Sequence, residues 1–142
     1  MTVTFFGHRN TPQSVKVKLE TVLIHLIEEK GATFFYIGNH GNFDSMVRKT
    51  LRELKNKYPH INYAVVLAYM PKEENEVDFS ETIFPEGIEK TPPQYAIIKR
   101  NCWMIEQSDV VVTYVRYSVG GAVQFKDLAE KKGKVVINLA DE

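Results

Sequence analysis

The chain has 142 residues, 44% of them hydrophobic and 25% charged. These are the proportions of one globular domain and exclude a disordered or fibrous protein. Eighteen Lys and Arg balance eighteen Asp and Glu for a net charge of zero, which argues against nucleic acid as a partner, because gripping a long polyanion draws on surplus cations.

Apolar runs alternate with helix-period segments from end to end. Val3 to Phe6 reads as a first strand stopping at Gly7. Thr11-Pro12 reads as a helix cap followed by proline in the first turn. Val15, Leu19, Val22, Leu23 and Leu26 then form one apolar stripe, which Gly31 closes. Thr33 to Ile37 is the second strand. It leads into the turn-rich run Gly38-Asn-His-Gly-Asn-Phe-Asp44, where Asp44 or Ser45 caps a second helix that Pro59 ends. Ile61 to Tyr69 is the third strand.

Residues 70–93 carry acidic residues and prolines without a period. So long a structureless loop is unusual inside a compact domain, so a lid, a short hairpin or a turn of helix is expected, or a contact between copies of the chain. Pro92-Pro93 opens a third helix running to about Gln107. Val110 to Val115 is the fourth strand, Gly120 to Lys132 the fourth helix and Lys134 to Leu139 the fifth strand. Unbroken apolar strands joined by helices belong in a parallel sheet covered on both faces. The expectation is one Rossmann-like, doubly wound α/β domain spanning 1–142, mostly parallel and five-stranded, with strand order 3-2-1-4-5.

In such sheets ligands bind beyond the carboxyl ends of the strands, where strand order reverses. The loops there supply the candidates. Gly120-Gly121 is either a plain strand-to-helix turn or a seat where an anion meets bare amides, with Ser118 adding a hydroxyl. Arg9 offers a forked donor for phosphate and His8, after Gly7, another donor; the alternative is a solvated arginine and a locally packed histidine. Gly38, Gly41 and Asp44 suit a tight loop whose carboxylate accepts from a ribose hydroxyl, or caps the helix. Phe43 is either a stacking ring or core. On the third helix Ile97, Asn101, Met104 and Ile105 share a face. Asn101 either ties the helix to a neighbouring loop or contacts the ligand, while Arg100 either reaches the crevice or lies on the surface.

Other chemistries lack their motifs. The four histidines show no zinc-binding spacing, and neither a nucleophile elbow nor a P-loop occurs. The G-x-G-x-x-G fingerprint of dinucleotide-binding enzymes is missing after the first strand. No metal and no cofactor are therefore expected. The single cysteine, Cys102, excludes an internal disulfide and reads as a small core residue. No run approaches the roughly 20 apolar residues that cross a bilayer, and Met1–Gly7 lacks the features of a leader. The expected setting is cytoplasmic, without a membrane partner.

Phe6-Gly7-His8-Arg9, Arg100-Asn-Cys-Trp-Met-Ile105 with Ser108-Asp109, and Gly120-Gly121-Ala122 together resemble the SLOG superfamily. These are Rossmann-like proteins that include cytokinin-activating phosphoribohydrolases and the Rossmann part of the DNA-processing protein DprA. The likeness covers essentially the whole chain and is greatest to the standalone bacterial branch. It implies a pocket for a nucleotide or nucleotide derivative, with phosphate near the first and fourth strand loops, in a sensor or ligand-binding module. The phosphoribohydrolases carry P-G-G-x-G-T-x-x-E; here Val119 precedes the glycine pair, Val123-Gln124 replaces Gly-Thr and Asp127 stands in for the glutamate. An N-glycosidase acting on nucleotides through Asp127 or Glu86 is one alternative, and a DprA-like module binding single-stranded DNA another.

Overall fold

The computed structural model of the chain describes residues 1–69, 82–116 and 120–141. Among these residues six strands form one sheet: β1 (Thr2–Gly7), β2 (Phe34–Ile37), β3 (Asn62–Val66), β4 (Thr82–Ile83), β5 (Val110–Tyr114) and β6 (Val135–Asn138). Their order is β4-β3-β2-β1-β5-β6, and every pairing is parallel. The order of the five expected strands is as the sequence implies, but the sheet has six strands rather than five. The extra one, β4, lies inside the 70–93 insert and pairs Val65 and Val66 with Thr82 and Ile83 at the sheet edge. A 3₁₀ turn over Ile88–Lys90 follows. Residues 70–81 lie outside the described residues.

The helices are α1 (Val15–Lys30), α2 (Gly41–Lys57), α3 (Pro93–Gln107) and α4 (Gly121–Lys131). Strand pleating sends alternate side chains to opposite faces, and two cores result. Val3, Phe5, Phe35, Val110 and Val112 pack with Leu19 and Leu23 of α1 and Val47 and Leu51 of α2. On the other face Phe6, Val66 and Val111 pack with Met104 and Ile105 of α3 and Phe125 and Ala129 of α4. Cys102 is half-buried against this second core, and burial pushes its thiol pKa up.

Two helix starts differ from expectation. α1 begins three residues beyond Pro12, because the Thr11 hydroxyl turns back to donate to the His8 carbonyl at 2.6 Å. Pro12 and Gln13 then accept from Val15 and Lys16 in a separate turn. α2 begins earlier than expected, at Gly41 with φ +91°. Asp44 therefore sits inside the first turn, reaching back to the amide of the capping residue His40. Gly31, with φ +74°, ends α1 in the left-handed conformation expected of it. Among the described residues no helix is long and apolar enough to cross a membrane.

Candidate functional site

Strand order reverses at β1. The chain runs from β1 outward through β2 and β3, then returns to place β5 on the other side of β1. Gly7 pairs with Tyr114 in register, so the loops after β1 and β5 leave the sheet side by side. The His8 amide donates to the Tyr114 carbonyl at 3.3 Å, and the Arg116 amide donates to His8 Nε2 at 3.0 Å. A backbone amide can only donate, so Nε2 carries the lone pair and His8 is neutral. Burial holds its pKa below the usual imidazole value, in agreement. The imidazole stitches the two loops together.

The β2 loop folds onto the β1 loop through its glycines. A Cβ on Gly41 would lie 2.9 Å from the Arg9 Cα, and the Asn42 amide donates to the Arg9 carbonyl at 2.9 Å. A Cβ on Gly7 would lie 2.4 Å from the Phe43 ring. Phe43 is buried in the first core, so the alternative of a base-stacking ring does not hold. Gly7→Ala is expected to lower stability by about 1–3 kcal/mol through overpacking against that ring; a urea melt would measure it. A change below 0.5 kcal/mol would show that Phe43 is free to move aside.

Beneath these loops lies a buried arginine. Arg100 is 2% exposed and reaches from α3 to the tips of β2 and β3. Its Nε donates to Asn101 Oδ1 at 2.9 Å. Its Nη1 donates to Asn39 Oδ1 at 2.8 Å, faces His40 Nδ1 at 3.2 Å and lies 3.4 Å from the Val66 carbonyl. Arginine has no acceptor, so His40 Nδ1 accepts and that ring too is neutral. Its pKa is lowered first by burial, then by the Arg100 and Arg9 charges. The tie from α3 to the β2 loop is made by Arg100, with Asn101 accepting from its Nε.

Asp44 completes the cluster. Its Oδ2 accepts from the His40 amide at 2.9 Å and sits 2.7 Å from where a Gly38 Cβ would be, with the Arg100 Cζ 3.4 Å from the same point. Gly38 thus makes room for a carboxyl and a guanidinium. Burial pushes the Asp44 pKa up to about 6, although the His40 amide and Arg100 both pull it down. The carboxyl is engaged from within, by the His40 amide and beside Arg100.

The outer surface is different. Arg9 is exposed, and Tyr69, 42% exposed, packs edge-on to His40 while its hydroxyl donates to the Pro93 carbonyl. Gly120 has φ +124°, a conformation that suits glycine alone, and a Cβ on it or on Gly121 would meet open space. Gly120 and Gly121 are both exposed at the start of α4. Ser118 lies outside the described residues. Asp127 is exposed, six residues along α4 from Gly121, or about 9 Å down the axis. Glu86 is exposed in the loop after β4. Among the described residues no three His, Cys, Asp or Glu side chains are placed to hold a metal.

Asn39 and His40, both partners of Arg100, were not singled out by sequence reasoning. The signal available was a polar pair between two glycines after a strand.

No protein-family model matches the chain, and no curated protein matches it. Among solved structures it is similar to DNA processing protein A from Helicobacter pylori, described for its single-stranded DNA binding mode. The TM-score is 0.64 at 18% identity, covering 96% of this chain and 63% of that one. The chain thus spans less than two thirds of that protein's length. Net neutrality had counted against nucleic acid, and this neighbour overturns that exclusion, because a closely similar fold serves a protein that binds single-stranded DNA. The likeness shows that this chain shares an α/β, Rossmann-like fold with that protein.

Proposed function

We propose that this chain is a SLOG-type module that binds single-stranded nucleic acid along the carboxyl edge of its sheet. In this reading Arg9 pairs with a backbone phosphate and the amides of Gly120 and Gly121 hold a second acceptor oxygen. The neutral rings of His8 and His40 fix the loops, and Arg100 adds positive potential from below. Tyr69 presents a ring on which a base stacks, an interaction tolerant of sequence. The observation that carries the reading is that the exposed Arg9 and the exposed glycine-led start of α4 follow the neighbouring strands β1 and β5, where strand order reverses. The fold shared with a single-stranded DNA-binding protein supports it.

The test is fluorescence anisotropy with a labelled single-stranded oligonucleotide between 50 and 200 mM salt. Affinity is expected to fall with salt by about 0.7 logarithmic units per tenfold salt for each phosphate held. Arg9→Ala is expected to weaken binding by roughly tenfold and to reduce that slope by about 0.7. No binding at 50 mM salt, or an unchanged slope in the variant, overturns the proposal.

A second reading, a single nucleotide held by its phosphate, draws on the same geometry. One exposed guanidinium and one glycine pair suffice for one phosphate. Displacement of the oligonucleotide by a stoichiometric amount of nucleoside monophosphate would favour it.

A further inference from the structure

On the opposite face of the sheet from α4, a cavity of about 270 Å³ opens between α1 and the tips of β5 and β6. Ser14, Val15 and Lys18 line it from α1, Tyr114 and Arg116 from the end of β5, and Leu139 and Ala140 from the end of β6. Tyr114 belongs to the α1–α2 core, whereas α4 packs on the other face. The cavity is therefore distinct from the glycine-led start of α4.

Its chemistry is cationic. Among the described residues Lys18 Nζ makes one long contact, 3.4 Å to the Leu139 carbonyl, and no carboxylate lines the cavity. Asp141 borders Lys18 along the adjoining groove instead. The Arg116 backbone is held by His8, while its side chain is exposed. Tyr114 is 6% exposed, and its ring stands edge-on to His8 at 6.0 Å. A buried phenol normally spends its hydroxyl on a partner, yet among the described residues this one makes no hydrogen bond to protein. Two cations, a nearly buried phenol and a serine hydroxyl thus surround one small space.

We propose that this cavity binds a phosphate monoester. A monoester carries close to two negative charges at neutral pH, matching Lys18 and Arg116, whereas each diester inside a strand carries one. At about 270 Å³ the space falls just below the roughly 300–1,000 Å³ of pockets for drug-sized ligands. It takes a phosphate with its sugar and excludes a run of nucleotides. The phosphate comes either from a free sugar phosphate or nucleotide, or from the phosphorylated end of a strand. Arg116 supplies the fork, Lys18 the second charge, and the Tyr114 and Ser14 hydroxyls the remaining donors.

Isothermal titration calorimetry of the whole chain with inorganic phosphate, a nucleoside 5′-monophosphate and dimethyl phosphate tests the site. Phosphate and the monophosphate are expected to bind, and the diester at least about tenfold more weakly. Lys18→Ala and Arg116→Ala should each weaken phosphate by about tenfold or more, the usual effect of losing a charge-assisted bond. Both side chains are exposed, so the fold should persist, which a thermal melt checks. Tyr114→Phe should weaken phosphate with little loss of melting temperature, and Lys18→Ala should leave the affinity for a 5′-hydroxyl oligonucleotide unchanged. The site therefore stands or falls separately from the strand-binding reading. Equal affinity for the diester, or undiminished phosphate binding in both Lys18→Ala and Arg116→Ala, overturns it. Comparing a 5′-phosphorylated with a 5′-hydroxyl oligonucleotide assigns the source. Tighter binding of the first supports a strand end, and equal binding supports a free phosphorylated small molecule.

Discussion

Arg100→Met is expected to lower the unfolding free energy by about 3–5 kcal/mol at pH 8, the usual loss when one member of a buried charged network is removed. Methionine fills much of the same volume, so a cavity contributes little. The loss comes from Asn101 Oδ1, Asn39 Oδ1 and the Val66 carbonyl, which give up a donor, and from an ionised Asp44 left without its cation. Arg100→Lys should recover only part, since one ammonium cannot span groups on α3, the β2 loop and β3 as a planar fork does. Because the Arg100 charge lowers the Asp44 pKa, the methionine variant should raise that pKa further above 6. The deficit should then shrink at pH 5, where Asp44 is protonated in both proteins. Urea unfolding at pH 5 and pH 8 measures both effects. A loss below about 1 kcal/mol at pH 8 would mean that water replaces the guanidinium at no great cost.

That this arginine lies inside the protein was not legible in the sequence, for a definite reason. The stripe of Ile97, Asn101, Met104 and Ile105 marks the inward face of α3, and Asn101, Met104 and Ile105 are indeed buried along it, together with Ala96 and Arg100. Position 100 lies beside that stripe, where a long side chain either snorkels outward or runs inward. Only the loop that meets it, with Asn39, His40 and Asp44, decides between the two. The main strands and all four helices were legible because local chemistry marks them: Pro93 opens α3 and Gly31 closes α1. Strand β4 was not, since two residues cannot display a period and its place is set by pairing with β3. The meeting of the β1 and β5 loops followed from strand order, whereas the cavity beside Lys18 did not. Lys18 occupies a helix position that reads as a solvated face until β5 and β6 are placed against it.

The Asp44 carboxyl gives the largest pH effect. Its pKa is raised from 3.8 to about 6 in the folded chain, mainly by burial. The folded state therefore holds this proton more tightly than the unfolded state does. The stabilisation is fully present below about pH 4, declines as pH rises, and is gone above about pH 6, a change of up to about 3 kcal/mol. Asp44→Asn keeps an oxygen to accept from the His40 amide but cannot titrate. Measured by urea unfolding at pH 4, 5, 6 and 7, the native chain should lose up to that amount relative to the variant and then run parallel to it. Curves parallel throughout would show that the carboxyl is solvated. The same proton bears on ligand binding. His8 and His40 are both held below the usual imidazole pKa by burial, and protonation of Asp44 as pH falls toward 6 leaves the Arg100 charge uncompensated beneath the β1 and β2 loops. Oligonucleotide affinity should therefore rise between pH 7.5 and pH 5.5 in the native chain and stay flatter in Asp44→Asn, which tells a charge buried under the loops from one that acts only at their surface.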